Sequence, residues 1–129
     1  MTENHTRPTP CHTERVVGGT TVVEVRGEID ILTAPPLAAR LDALSGDPRP
    51  DLVLDLRPLS FIDCSGLRLL CRTRNRTLAR QGRLRLVTES NCFLRILRGT
   101  QLTGVFEIHR DLTSALPGAP REDTASATG

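Results

Sequence analysis

The chain has 129 residues, and its 17 basic side chains, all arginine, nearly balance 15 acidic ones to leave a formal net charge of +2. This length predicts one domain rather than two, and the charge balance argues against a dedicated nucleic-acid-binding protein. No apolar run approaches the ~20 residues that span a bilayer, and the N-terminal residues lack the apolar stretch of a signal peptide. We therefore expect a cytoplasmic protein that associates directly with neither membranes nor nucleic acid.

The first half of the chain has the pattern of a hairpin followed by a helix. Two β-rich runs, at residues 14–17 and 20–26, flank Gly18-Gly19, a dipeptide typical of a tight hairpin turn. Thr33 is positioned to cap a helix that has two prolines in its first turn. The apolar face of this helix is predicted to carry Leu37, Leu41 and Leu44.

The second half alternates strands and helices. Strands are predicted at residues 51–56, 83–87 and 105–108, and helices at 65–80, 91–98 and 111–116. The order ββαβαβαβα predicts one α/β domain, residues 15–116, with a mostly parallel central sheet, an N-terminal hairpin and helices packed against the sheet. The polar, unpatterned segments 1–14 and 117–129 are predicted to be disordered tails.

The strongest candidate for a functional site is the stretch of residues 63–66, called here the 63–66 loop, which consists of Asp63, Cys64, Ser65 and Gly66. It lies between the carboxyl end of a central strand and the start of a helix, an edge where open α/β sheets bind ligands and partners. The free N–H groups of a helix start also favour an anion. Asp63 can cap the helix, Ser65 offers a hydroxyl, and Gly66 lets the backbone come close to whatever docks. The simpler interpretation is a capped helix with no further role.

Familiar catalytic, nucleotide-binding and metal-binding motifs are missing from the sequence. The C-x5-R loop of cysteine phosphatases would need an arginine where the chain has Leu70, and neither G-x-x-x-x-G-K-[ST] nor G-x-G-x-x-G occurs. Two of the three histidines lie in the predicted N-terminal tail, and His109 is expected in a solvated loop. No pair of the four cysteines has C-x-x-C spacing, and a reducing cytoplasm disfavours disulfides. We therefore expect free thiols and no catalytic residue, metal site or cofactor.

The predicted helix at residues 65–80 has two faces when its positions are spaced at about 100°. One face is expected to pack on the core and carries Leu67, Leu70, Cys71 and Leu78. Leu69 falls on the opposite, arginine-bearing side. A single exposed leucine is common and often has no role; the alternative, beside the start of a helix that favours anions, is an apolar anchor for a partner. Seven arginines and no acid lie between Arg68 and Arg85. This charge run is typical of a solvated face, and the alternatives are an acidic partner or a nucleic acid.

Taken together, several segments resemble the STAS domain of bacterial anti-sigma factor antagonists. The resemblance rests on GEID at residues 27–30 with TAP at 33–35, DL at 55–56, FIDCSGL at 61–67, LRLV at 84–87, and LRGTQL at 97–102 before VFEI at 105–108. It covers residues 15–116 with the segments in the family's order.

The resemblance implies a small regulator rather than an enzyme. Proteins of this kind bind an anti-sigma factor that is also an ATP-dependent serine kinase, and so free a sigma factor for RNA polymerase. The kinase phosphorylates the residue directly after the motif aspartate; this residue is Cys64 here, and a thiol is not the family's acceptor hydroxyl. Ser65, one position later, is the phospho-acceptor candidate. The expected partner-binding residues are Asp30, Asp63, Cys64, Ser65, Gly66 and Leu69.

A second interpretation is a sensory or scaffold STAS module without a sigma-related partner, in which Cys64 serves as a redox switch. Retention of an ATP-binding anti-sigma factor by the protein would separate this interpretation from the first.

Overall fold

The computed structural model describes residues 12–102 and 104–116. The elements in chain order are β1 (His12–Val17), β2 (Thr20–Val25), β3 (Gly27–Ile29), α1 (Ala34–Ser45), β4 (Asp51–Asp55), β5 (Leu59–Ile62), α2 (Cys64–Ala79), β6 (Arg83–Val87), α3 (Asn91–Gly99), β7 (Glu107–His109) and α4 (Leu112–Ala115).

The central sheet of the described residues has five strands in the spatial order β1-β2-β4-β6-β7. β1 is antiparallel to β2, and the other neighbouring pairs are parallel. The turn between β1 and β2 contains Gly18 and Gly19, whose φ angles of 57° and 86° lie in the left-handed region. A tight two-residue turn with both central residues at positive φ needs this region, which glycine adopts without strain. The predicted hairpin and mostly parallel sheet are confirmed.

A separate parallel sheet consists of β3 and β5 alone. The predicted order lacks these two short strands, because the sequence pattern merges each with the strand before it. Gly27, at φ 79°, turns the chain away from the central sheet after β2. Pro58, in the turn between β4 and β5, accepts a hydrogen bond on its carbonyl from the Gly27 amide at 3.4 Å. This pair of strands brings two distant loops to one edge of the molecule.

Two predicted boundaries are wrong by a few residues. β1 begins at His12, inside the segment predicted as a tail, because His12 and Thr13 are themselves paired with β2. The Glu14 carboxylate also binds Arg40 of α1 at 2.9 Å. The last strand covers Glu107–His109 instead of 105–108, so His109 lies in β7 and not in a solvated loop. The other residues predicted to form tails, 1–11 and 117–129, lie outside the described part of the chain.

The main core lies between one face of the sheet and helices α1, α2 and α3. Its strand residues include Val23, Leu54 and Leu86, which are fully buried. The opposite face carries a smaller cluster, in which α4 packs on the sheet; its buried residues are Val22, Val53, Val87 and Ala115. No helix in the described ranges is long and apolar enough to cross a bilayer.

The buried face of α2 differs from the predicted one. Leu69, predicted to be exposed, is only 5% exposed, whereas Leu78, predicted to be core, is 47% exposed. Leu67 and Cys71 are partly buried at the edge of the core. The buried stripe of this helix is Gly66, Leu69, Leu70, Thr73 and Thr77. Thr73 and Thr77 lie in the core where the predicted face had Leu67 and Leu78, so the helix is rotated relative to the prediction.

The arginine-rich segment is used mostly within the chain. On the α1 side of α2, Arg72 forms a bidentate ion pair with the Asp42 carboxylate at 2.9 and 3.0 Å. Arg76 donates to the Asp42 carbonyl, and Arg80 donates to the Gly46 carbonyl. The other internal contacts are Arg74 with the Val105 carbonyl, Arg83 with Glu107, and Arg85 with Asp51 and the Ala115 carbonyl. Arg68, Arg72, Arg80 and Arg83 remain exposed, as predicted for a solvated face. Because most of the arginines are already bound within the chain, the face gives little support to an acidic or nucleic-acid partner.

Candidate functional site

The 63–66 loop and the turn that follows β3 lie side by side. In the small sheet Ile29 is in register with Ile62, and the Asp63 amide donates to the Ile29 carbonyl at 3.1 Å. The residues that follow the two strands, Asp30 and Asp63, therefore occupy neighbouring positions at the carboxyl edge, although they are more than thirty positions apart in sequence. The structure brings these two predicted site residues together.

Asp63 caps helix α2, as the sequence predicts. One of its carboxylate oxygens accepts hydrogen bonds from the amides of Ser65 at 2.8 Å and Gly66 at 3.2 Å. These bonds satisfy two of the N–H groups that a helix start leaves unpaired. Cys64, the first residue of α2, is exposed, and Ser65 is partly buried. The loop therefore presents a thiol to solvent on a backbone that the cap holds in place.

Gly66 serves the interior of the protein rather than a docking partner. It is buried, and a methyl group at its α-carbon would overlap the side chain of Ile62 and press on that of Ile29. The start of α2 can lie this close to β3 and β5 only because Gly66 has no side chain. The prediction that this glycine allows close approach of a partner is therefore wrong; the close approach is internal.

Asp30 organises the turn before α1. One of its carboxylate oxygens accepts from the amides of Leu32 at 2.9 Å and Thr33 at 3.0 Å. The bond from the Thr33 amide, supported by that from Leu32, holds the pKa of Asp30 below its ordinary value of 3.8. The Thr33 side chain makes no capping bond to α1 and instead donates to the Glu28 carbonyl at 2.8 Å. Asp30 therefore takes over the organising role that the sequence assigns to Thr33.

Three exposed apolar side chains surround this edge. Ile31 and Leu32 are 73% and 77% exposed, and Phe61 on β5 is 52% exposed. Because Ile29 and Ile62 point into the core, the alternating residues of the small sheet, Phe61 among them, point outward. None of these three residues is among the predicted site residues. One feature of the sequence does indicate the exposure of Ile31 and Leu32. Both precede Thr33 and so lie outside the apolar stripe of α1.

Leu69 does not belong to the exposed surface of the site. With 5% of its area accessible it packs in the main core beneath the 63–66 loop. The apolar contacts that a partner would find at this edge come from Ile31, Leu32 and Phe61 instead.

A serine, a histidine and a glutamate meet where α4 packs beside β7. His109 Nδ1 lies 3.1 Å from the Ser114 hydroxyl, and His109 Nε2 lies 2.9 Å from the Glu107 carboxylate. The Ser114 hydroxyl also donates to the Asp111 carbonyl at 3.2 Å, and the Arg83 side chain pairs with Glu107 and lowers the pKa of that carboxyl to about 2. A carboxylate so strongly bound to arginine supports a histidine base weakly. The hydrogen bonds of this group connect α4 to β7, and the three side chains do not have the properties of a catalytic triad.

Among the described residues, no cluster of three or more histidine, cysteine, aspartate or glutamate side chains is placed to hold a metal ion. The thiols of Cys64, Cys71 and Cys92 are free.

Comparison with known proteins agrees with this architecture. Residues 13–115 match the STAS domain, so the chain belongs to the STAS domain family, as the resemblance predicts. An anti-sigma factor antagonist from Mycobacterium paratuberculosis is 30% identical, with a TM-score of 0.75 over 84% of this chain and 92% of that one. No match was found among curated proteins.

Two more distant structures share the fold. An anti-sigma-factor antagonist (STAS) domain protein from Planctomyces limnophilus is 19% identical, with a TM-score of 0.71 over 81% of this chain and 92% of that one. The Bacillus cell fate determinant SpoIIAA in its phosphorylated form is also 19% identical, with a TM-score of 0.64 over 80% and 95% of the two chains. At these identities the likeness concerns the fold alone.

Proposed function

We propose that the protein is an anti-sigma factor antagonist, which binds an anti-sigma factor and thereby releases a sigma factor. The observation that carries the proposal is the joined pair of loops at one edge, where Asp30 and Asp63 hold their backbones by hydrogen bonds while Cys64, Ile31 and Leu32 face solvent. The 30% identical Mycobacterium protein, an anti-sigma factor antagonist, supports the same function.

The arrangement suits recognition of another protein. Hydrogen bonds fix both loops before any partner arrives, so binding costs little additional ordering of the backbone. Exposed apolar side chains beside polar groups are typical of the centre of a protein interface. The proposed contact surface consists of Asp30, Ile31, Leu32, Phe61, Cys64 and Ser65, with Asp63 and Gly66 beneath it as supporting residues.

We further propose that the partner is an anti-sigma factor with ATP-dependent serine kinase activity. This part of the proposal rests on the resemblance of the 61–67 segment to the family motif. The protein itself acts by binding and does no catalysis.

A second candidate function is a sensory or scaffold module that responds to oxidation at Cys64. The exposure of this thiol at the start of α2 favours it. In that case the captured partner has no relation to sigma factors, and its binding changes when Cys64 is oxidised.

Affinity capture from the native cytosol, with and without ATP, tests the proposal. The immobilised wild-type protein is compared with Cys64→Arg, which places a bulky cation on the proposed surface, and with the control Asn75→Arg. Asn75 is exposed on the same side of α2, eleven residues or about 16 Å further along. We expect wild type and Asn75→Arg to retain an anti-sigma factor and to displace its sigma factor, and Cys64→Arg to lose both. Absence of any anti-sigma factor, or equal capture by all three proteins, would contradict the proposal.

A further inference from the structure

A cleft with a volume of about 170 Å³ opens between β5 and α3, on the side of β5 away from β3. It lies beyond the carboxyl ends of β4 and β6, since Leu56 and Thr88, the residues directly after these strands, form part of its wall. Most of the lining is apolar and consists of Leu56, Leu59, Phe61, Ile62, Phe93 and Ile96. The carboxyl edge of a mainly parallel sheet is the usual location of a ligand site in such folds.

The lining selects for an uncharged occupant. None of the side chains that line the cleft carries a formal charge. A charged group placed inside the cleft would lose hydration without gaining an ion pair, at a cost in free energy. The volume is close to that of a cavity of about 150 Å³, lined by aliphatic and aromatic side chains, that admits benzene. A small aromatic molecule of one or two rings therefore fits the space.

Two of the three hydroxyl groups on the wall add a polar end to the cleft, since that of Ser60 already donates to the Gly27 carbonyl at 2.8 Å. The Thr88 hydroxyl accepts from the Ser90 amide at 3.2 Å, and the Ser90 hydroxyl accepts from the Phe93 amide at 3.0 Å. Each hydroxyl still has its own O–H hydrogen, which can be donated to a ligand oxygen or nitrogen. A ligand with one hydrogen-bonding group and an apolar body matches this distribution.

One wall of the cleft leads directly to the 63–66 loop. Ile62 lines the cleft, and its side chain is also the group against which Gly66 packs at the start of α2. Because interiors are close-packed, a shift of Ile62 is transmitted to the backbone that abuts it. Only the side chain of Ile62 therefore separates an occupant of the cleft from the first turn of α2.

We propose that this cleft is a binding site for a small uncharged molecule with an apolar body, about the size of one or two fused rings, and a single hydrogen-bonding group. Binding requires no partner protein. Its influence on anti-sigma factor recognition, through Ile62 and Gly66, rests on the proposed function, whereas the binding itself does not.

Indole is a suitable probe because the protein contains no tryptophan or tyrosine, so indole fluorescence is seen without a protein background. We expect a saturable blue shift of indole emission with one molecule bound per chain. Ile96→Phe and Leu59→Phe, which each enlarge a residue of the wall, should abolish the shift. Leu78→Phe, on an exposed leucine of α2 outside the cleft, should leave it unchanged. Indole-3-carboxylate, which adds a charge to the same ring, should not bind.

Alkylation of the thiols locates the binding site within the chain. Cys92 lies at the cleft and Cys64 does not, and both are exposed. Indole at saturation should slow alkylation of Cys92 several-fold and leave Cys64 unchanged, as read by peptide mass spectrometry. In NMR spectra the amide signals of Ser65 and Gly66 should shift with the same titration midpoint.

Several results would overturn the proposal. The first is the absence of a saturable shift of indole emission. The second is a shift in both wall variants equal to that of the wild type, and the third is binding of indole-3-carboxylate as tight as that of indole. The fourth is protection of Cys92 by a partner protein but never by indole. The last result would mean that the cleft receives a partner's side chain. Unchanged Ser65 and Gly66 signals at saturating indole would overturn the connection to the loop.

Discussion

Cys64 is the first residue of α2, at the position where the family resemblance places the acceptor hydroxyl. Ser65 supplies the hydroxyl nearest to it, but successive helix positions differ by about 100° around the axis, and Ser65 is partly buried whereas Cys64 is exposed. Its amide is also held by Asp63. A kinase that addresses position 64 would therefore find the Ser65 hydroxyl displaced from its active site.

We predict that the wild-type protein is phosphorylated poorly by its cognate kinase and that Cys64→Ser is phosphorylated faster, at residue 64. A misplaced acceptor costs on the order of 10²-fold in rate. The measurement is a time course of phosphopeptides by mass spectrometry, with Cys64→Ser/Ser65→Ala as the control that should remain fast. Rapid, stoichiometric phosphate on Ser65 of the wild type would show that the switch is intact and shifted by one residue.

Phosphate in the 63–66 loop would act on the partner surface through charge. It adds about −1.5 to −2 charges beside the Asp63 carboxylate, which repels it, and beside the amides at the start of α2, which attract it. A surface shaped for an unmodified partner would then carry unmatched negative charge, so release of the partner is the expected consequence.

At the scale of single elements, α2 shows what determines which face of a helix is buried. Thr73 and Thr77 are fully buried while Leu78 is half exposed. The Thr77 hydroxyl donates to the Thr73 carbonyl at 2.7 Å, which satisfies its polar group inside the helix. The rotation places Arg72 and Arg76 against α1, where they bind Asp42.

We expect Leu69→Asp to destabilise the protein by about 3–5 kcal/mol, since it buries an unpaired carboxylate and removes core packing. The same change at Leu78 should cost less than about 1 kcal/mol, because that side chain is half exposed. Urea denaturation of the two variants measures both values. Nearly equal losses, or a larger loss at Leu78, would mean that α2 is not rotated as described.

Helix α4 depends on polar contacts with the sheet. Arg85 is fully buried, and its guanidinium donates to the Ala115 carbonyl at 2.6 Å and pairs with Asp51. Asp51 also accepts a hydrogen bond from the Thr20 hydroxyl at 2.9 Å. Four residues of helix cannot be stable by themselves, so these bonds and the small apolar cluster must hold α4 in place.

Arg85→Met keeps much of the side-chain volume but leaves the Ala115 carbonyl without this donor. We predict a loss of about 1–3 kcal/mol in the free energy of unfolding. Relative to wild type, hydrogen exchange at the amides of Ser114 and Leu116 should accelerate more than exchange in α2. Arg83→Met, which removes a half-exposed ion pair with Glu107, should cost no more than about 1 kcal/mol. Uniform acceleration of exchange across the chain would indicate that Arg85 does not act on α4 in particular.

At the scale of the whole molecule, carboxylates bound by arginines or backbone amides govern the response to acid. The largest effect concerns Glu107, whose pKa is lowered from 4.5 to about 2, chiefly by the hydrogen bond from Arg83. Glu14, Asp30, Asp42, Asp55 and Asp111 also have lowered pKa values. The folded protein therefore binds fewer protons than the unfolded chain in the acid range, and stability falls as these groups are protonated.

We predict a free energy of unfolding that is nearly constant above the ordinary carboxyl pKa of 4.5 and decreases as the pH falls towards 2. Glu107→Gln should remove part of this dependence, by no more than about 1 kcal/mol because the ion pair is partly exposed. Glu28→Gln, at an exposed position of β3, is the matched control and should leave the pH profile unchanged. Urea denaturation across this pH range tests the prediction, and a profile that Glu107→Gln does not alter would contradict it.

Local chemistry in the sequence was sufficient to predict the order of most elements. Gly18-Gly19 specifies the hairpin turn, Asp63 and Ser90 cap the helices that follow them, and runs of apolar residues identify the central strands. The family motif around Asp63 was also recognisable. Each of these signals depends on the backbone within a few residues, so it can be read without knowledge of distant parts of the chain.

Only the tertiary structure decided which surfaces are buried and which loops meet. Leu69 and Leu78 exchange their predicted environments because burial of a helix face depends on what packs against it, here Ile62 against Gly66 and α1 against the arginines. The meeting of Asp30 with Asp63 depends on pairing between β3 and β5, two short strands whose pattern in sequence is too weak to detect. Contacts between residues thirty positions apart are set by the packing of the whole domain, since local backbone preference carries no information about them.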